Sequence, residues 1–172
     1  MDDVDNRAVI AAWATATDHL ADFGAEGDFT RQHLLNPAIF ALLGPVEGHT
    51  ILDAGCGQGY LCRLLAKRGA LVTGVEPATP WYQAAVERER QEPLGITYLQ
   101  ADLSIMEALR PFDAVIANMV LMDIPAYEAA IHRCVASLAA GVNSSGGFSI
   151  FLAGEAAGFR PSTQGGKRRL HA

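Results

Sequence analysis

From His49 onward, short apolar runs of strand length alternate with longer stretches of helical periodicity. The pattern predicts strands at Thr50 to Ala54, Leu71 to Val75, Ile96 to Gln100, Asp113 to Ala117 and Phe148 to Leu152. The run 113–117 is almost wholly apolar, as expected of a strand covered on both faces. Helical patterns fill the gaps at 59–68, Thr79 to about Gln91 and Pro125 to Ala140, with a short helix after the Ser104-x-x-Glu107 capping-box pattern. Thr79 followed by Pro80 reads as an N-cap with proline in the first helical turn. Strand–helix alternation with right-handed crossovers gives an α/β fold, a three-layer α-β-α arrangement around a doubly wound, mostly parallel sheet of about five strands.

Ahead of this core, residues 7–43 look helical. Asn6 is the expected cap of a first helix through about Leu20, with Ile10, Trp13 and Thr17 on one face. A polar break from Asp22 to Asp28 separates it from a second helix, starting at Phe29 or Thr30 and ending before Gly44-Pro45, with Pro37 as a point of bending or restart. The chain thus divides into a helical lid segment (1–44), the α/β core (45–153) and a tail (154–172) without strand periodicity.

The densest chemistry lies at 51–59, Ile-Leu-Asp-Ala-Gly-Cys-Gly-Gln-Gly. An apolar strand ends in Asp53, a loop with glycine at 55, 57 and 59 follows, and a helix begins. Such a loop at the carboxyl end of a strand brings bare backbone and unpaired N–H groups to a ligand. The dinucleotide fingerprint G-x-G-x-x-G separates its last two glycines by three positions, whereas here they are two apart. A carboxylate at 53 is also a poor neighbour for pyrophosphate and a good one for an ammonium group. The loop therefore suits a nucleoside joined to an amino acid better than NAD. Asp53-Ala-Gly55-Cys-Gly57-Gln-Gly59 resembles, at every defined position, the D/E-x-G-x-G-x-G motif of class I, Rossmann-like S-adenosylmethionine (SAM)-dependent methyltransferases of the small-molecule type.

That resemblance implies a set of cofactor-binding residues. Asp53, Gly55, Cys56, Gly57 and Gly59 form the loop. Glu76, with Pro77 after it, ends the second strand and would accept from ribose hydroxyls. Asp102 would accept from the adenine amine with Leu103 against the ring, or would instead cap the following helix. Trp81 would stack on adenine, or would be a core aromatic. Asn118 ends the fourth strand and would meet the amino-acid end of the cofactor and the methyl acceptor. In the lid, Arg31 would meet the methionine carboxylate and Phe29 would help cover the sulfonium, or the two are a surface arginine and a packed phenylalanine. Asp123 reads as a cap for the helix at Pro125 rather than a general base. Asn118-Met-Val-Leu121 differs from the Asn/Asp-Pro-Pro-aromatic motif of enzymes that methylate DNA bases, and points to a small-molecule acceptor.

Composition narrows the function classes. The chain has 172 residues and a formal net charge of −6, which argues against a nucleic-acid backbone as main partner. No apolar run approaches the roughly 18 residues that span a bilayer. An acidic start and three cysteines without C-x-x-C spacing suit a reducing cytoplasm. The five histidines show no metal-ligand spacing. The C-terminal part departs from the family pattern: 139–147 is Ser- and Gly-rich, and too little chain follows Leu152 for a sixth and seventh strand. The expected function is transfer of the SAM methyl to a small molecule, leaving S-adenosylhomocysteine (SAH). The alternative is an inactive SAM-binding or interaction fragment, with strand five as an open edge that would favour a homodimer. An NAD-dependent dehydrogenase is disfavoured by the glycine spacing.

Overall fold

A computed structural model describes residues 5–20, 27–107, 109–139 and 150–153. Its elements are α1 (Asn6–Thr15), α2 (Asn36–Leu43), β1 (Thr50–Ala54), α3 (Tyr60–Ala66), β2 (Leu71–Val75), α4 (Thr79–Gln91), β3 (Thr97–Leu99), β4 (Ala114–Asn118), α5 (Tyr127–Ala136) and β5 (Ile150–Ala153). The five strands form one sheet in the order β3-β2-β1-β4-β5, every neighbouring pair parallel. The order reverses between β1 and β4, so a crevice opens beyond their carboxyl ends. The expected doubly wound α/β fold is what the chain adopts. The expectations about later strands and the tail fall on residues 154–172, outside the described residues.

Alternation along β1 explains the two cores. Ile51 joins Leu61 and Leu65 of α3, Val72, Ile116 and Ile39 of α2 on one face of the sheet. Leu52 points the other way and packs with Val75, Val115, Phe112 and Ala130 and Cys134 of α5. Asp113 lies in the bend before β4, where its carboxylate accepts from the Thr50 N–H (2.8 Å) and hydroxyl (2.9 Å), fastening β4 to the start of β1. No helix among the described residues is long and apolar enough to cross a membrane.

Several local expectations are corrected. Asp5, not Asn6, caps α1 by accepting from the Ala8 N–H at 2.8 Å, which frees the Asn6 amide for other partners. The helix ends at Thr15, and a 3-10 turn spans Thr17–Leu20. Pro37 does mark a restart, since α2 begins at Asn36 with Pro37 in its first turn. A π turn over Arg31–Leu35 precedes it, with the Asn36 N–H bonded to the Arg31 carbonyl, and the wider turn accommodates the N–H that proline lacks. Thr79 is the first residue of α4 rather than its cap; its hydroxyl accepts from Gln100 at 2.7 Å. Ser104 starts no helix, because its N–H and hydroxyl both turn back to Asp102 at 2.8 Å and a single turn forms. The last helix begins at Tyr127, two residues after Pro125, and stops at Ala136, after which Leu138 bridges to Phe112.

Gly74 is the tightest point of the sheet interior. A Cβ there would stand 2.8 Å from Cys56 Sγ, 2.9 Å from Cys62 Sγ and 2.9 Å from Tyr98 Cδ1. Overpacking of this kind costs about 1–3 kcal/mol. Gly74→Ala is therefore expected to lower the melting temperature by several degrees, and an unchanged melt would contradict this packing.

Candidate functional site

The loop after β1 is held by its own backbone. Gly55, Gly57 and Gly59 have φ of 76°, 55° and 77°, the left-handed region that side chains disfavour. The Gly55 and Cys56 N–H groups donate to the Val75 carbonyl at 2.8 and 3.0 Å, which ties the loop to the end of β2. There Glu76 turns inward: Oε2 accepts from the Gly57 N–H at 3.0 Å and Oε1 from the Ala78 N–H at 2.8 Å. Burial outweighs these bonds and pushes the carboxyl up to about 7.

Asp53 takes a different place from the expected one. Its carboxylate is buried, accepts from the Cys62 thiol at 3.1 Å and is pushed up to about 6 by desolvation. It is not on the cleft wall and lies beneath the loop, bonded to α3. Gly59 is likewise off the wall; its missing Cβ leaves room for the Tyr98 ring and hydroxyl.

The cleft gathers the other expected residues. Cys56, Gly57, Glu76, Pro77, Asp102 and Leu103 all line it, with Gly55 at the loop's start. Asp102 Oδ1 accepts from the Ser104 N–H and hydroxyl, and both its oxygens receive the Asn6 amide at 3.2 and 3.3 Å. Trp81 is buried on the wall, edge-on to Trp13 with centroids 5.7 Å apart, and its Nε1 donates to the Trp13 carbonyl at 3.0 Å. At the tip of β4, Asn118 Nδ2 donates to the Tyr60 hydroxyl at 2.8 Å, while Asn118 Oδ1 is buried without a partner. Arg31 reaches the wall from the lid, pairs with Asp28 and stands 5.8 Å over the Tyr60 ring. Phe29 does not reach the cleft; it is 76% exposed and packs against His33.

Apolar residues complete the lining: Val9, Ile10, Met119, Val120, Ile124 and Pro125. Among these sits Asp123, in the 3-10 turn Leu121–Asp123. It caps no helix, since α5 starts at Tyr127 with no side-chain cap. The Asp123 carboxylate has no hydrogen-bond or ionic partner among the described residues, and burial raises its pKa. Sequence reasoning missed Tyr60, Asn6 and Met119. Met119 has φ of 57°, the one non-glycine residue in the left-handed region among those described, and nothing in the sequence signals it.

A doubly wound sheet, a glycine loop at its switch point and acids at the ends of adjacent strands define a Rossmann-like nucleoside-cofactor site. Residues 51–141 match the family model described as "Methyltransferase domain", and the chain belongs to this family of class I SAM-dependent methyltransferases. It is 32% identical over 113 residues to a ubiquinone biosynthesis O-methyltransferase of Coxiella burnetii, covering 63% of this chain and 48% of that protein. A SAM-dependent methyltransferase structure from Mesorhizobium loti is 30% identical with a TM-score of 0.54, over 60% of this chain and 48% of that one. Magnesium protoporphyrin IX methyltransferase from Synechocystis PCC 6803 with bound SAH shares the fold at 23% identity and a TM-score of 0.65, over 78% of this chain and 68% of that one. The chain spans about half the length of the curated relatives it matches, 48% of the Coxiella protein.

The residues present fit SAM. Asn118 Oδ1 is an orphaned buried acceptor suited to an ammonium group. Each Glu76 oxygen, with one N–H bond, retains accepting capacity for a hydroxyl.

The two buried acids fix the sign of a pH effect. Glu76 and Asp53 keep protons in the folded chain up to about 7 and about 6, where the unfolded chain has lost them. The folded state then binds more protons, so their contribution to stability falls as pH rises through that window. The lowered carboxyls of Asp28 and Asp113 act in the opposite sense, but below it. Thermal melts of the ligand-free chain are expected to shift down between pH 5 and pH 8. Glu76→Gln should flatten that slope while lowering the melt overall. An equal slope in both proteins would contradict the burial of Glu76.

Proposed function

We propose that this chain transfers the sulfonium methyl of SAM to a nucleophile, foremost a hydroxyl, on an apolar small molecule. The observation that carries the reading is one cleft whose lining joins the polar groups Glu76, Asp102 and Asn118 to apolar side chains and to the Asp123 carboxylate. Of these polar groups, Glu76 would accept from the ribose hydroxyls, Asp102 from the adenine amine with Leu103 and Trp81 beside the ring, and Asn118 Oδ1 from the ammonium. Arg31 would face the carboxylate end. Bound SAM supplies a methyl group on a cationic sulfur, a good leaving group for in-line displacement.

The protein's share of the work is then positioning, exclusion of water and disposal of one proton. Val9, Ile10, Met119 and Ile124 offer apolar surface against which an apolar acceptor would lie. As the new bond to the methyl forms and the carbon–sulfur bond breaks, the acceptor's O–H proton would pass to Asp123. Its raised pKa, caused by desolvation, makes it a better proton acceptor than a solvated aspartate. The names of the curated relatives, O-methyltransferases in ubiquinone biosynthesis, support oxygen as the receiving atom without identifying the acceptor.

Calorimetric titration with SAH, beside an NADH control, tests the cofactor reading. SAH binding is expected, weakened at least tenfold by Glu76→Ala. With an acceptor found by screening hydroxylated aromatics, Asp123→Asn should lower kcat by roughly 10²-fold or more, leaving SAH affinity unchanged. A folded chain that ignores SAH would refute the reading. SAH binding without turnover on any acceptor would favour the inactive-fragment alternative.

A further inference from the structure

We propose that Asn6 is a cofactor-positioning residue: its amide orients the Asp102 carboxylate toward the adenine amine and couples that contact to the acceptor wall. The inference rests on the SAM reading of the cleft.

Asn6 opens α1 but does nothing for the helix itself, because Asp5 is the cap. Its Nδ2 donates to Ser104 Oγ at 2.7 Å and, more loosely, to Asp102 Oδ1 and Oδ2 at 3.2 and 3.3 Å. Its Oδ1 accepts from the Ala126 N–H at 3.0 Å, immediately after Pro125 of the acceptor wall. One small amide therefore joins three chain segments, the last 120 positions away in sequence. Each end of that amide is used, so the side chain is held in one orientation.

The effect on Asp102 is asymmetric. Oδ1 receives the Ser104 N–H and hydroxyl at 2.8 Å and is filled. Among the described residues Oδ2 receives only the longer Asn6 contact at 3.3 Å and keeps a lone pair for a further donor. Asn6 and Ser104 together thus prevent rotation of the carboxylate while leaving one oxygen available to an exocyclic amine.

The docking of α1 depends on such contacts. None of its residues is fully buried, and Val9 and Ile10 are half-buried at the cleft. Asn6 fastens its start, and Trp13 fastens its end through the Trp81 Nε1 bond and the edge-on ring contact. Both anchors end on residues assigned to the adenine, Asp102 and Trp81. Adenine recognition and the placement of the α1 wall are therefore mechanically the same event.

The test uses the full chain and two ligands: SAH, and S-inosylhomocysteine, which carries an oxygen where SAH carries the amine. Wild type is expected to prefer SAH. Asn6→Ala should weaken SAH about tenfold, the scale of one charge-assisted hydrogen bond, while leaving S-inosylhomocysteine nearly unchanged. Asn6→Asp, which keeps the acceptor for Ala126 but sets a carboxylate against Asp102, should weaken SAH further. Circular dichroism confirms folding. The two tryptophans of the chain, Trp13 and Trp81, report α1 docking by fluorescence. Unchanged SAH affinity in both variants overturns the proposal. Equal loss of both ligands also overturns it, because it would show a merely structural role. A wild-type chain that binds neither ligand overturns the cofactor reading, and the proposal with it.

Discussion

A carboxylate buried at the end of β2 is the constraint from which the site is built. Glu76 holds the Gly57 N–H with one oxygen and the Ala78 N–H with the other, bridging the glycine loop and the approach to α4. Without it, two N–H groups would be left unpaired beneath the cleft floor, each a cost of about 1–3 kcal/mol. The bridge also explains why burial of an acid is tolerated here. Its desolvation is offset in part by bonds that no apolar replacement could make. The same geometry leaves lone pairs free on both oxygens, so a ligand hydroxyl can join without dismantling the loop.

Asp53 shows the other use of a buried acid. It sits under the loop with the Cys62 thiol, and its charge disfavours ionisation of Glu76. The acid of the loop motif thus lies beneath the loop, bonded to α3. Gly74 belongs to the same arrangement, since a side chain there would displace both Cys56 and Cys62. The floor of the cleft is a packed set in which sulfur, carboxylate and glycine occupy complementary volumes.

The sheet was legible because each strand is a short apolar run with a polar or glycine stop, and the crossovers leave little topological choice. Glu76, Asp102 and Asn118 were legible for the same reason: they are strand tips. What escaped was set by contacts distant in sequence. The role of Asn6 is decided by Asp102 and Ala126, and Asp5 beside it is an equally good cap on paper. Asp123 precedes a proline and so looks like a cap, until the helix starts two residues beyond that proline and the carboxylate is left alone in the cleft. Met119 adopts a left-handed backbone that its residue type disfavours, a choice imposed by the path from β4 into the acceptor wall.

Charge gives the cleft a direction. Three carboxylates, Glu76, Asp102 and Asp123, line it, against one guanidinium, Arg31, already paired with Asp28. With low-dielectric walls on the α1 side, such a balance favours cationic or neutral occupants and disfavours anionic acceptors. It also changes the interaction as a reaction proceeds. A sulfonium is drawn to these carboxylates, whereas the thioether left after methyl transfer is neutral at sulfur and has lost that attraction. Under the proposed function, uptake of the acceptor's proton by Asp123 would remove one negative charge at the same moment. In the proposed reaction the electrostatic field that gathers the reactants would therefore weaken as products form.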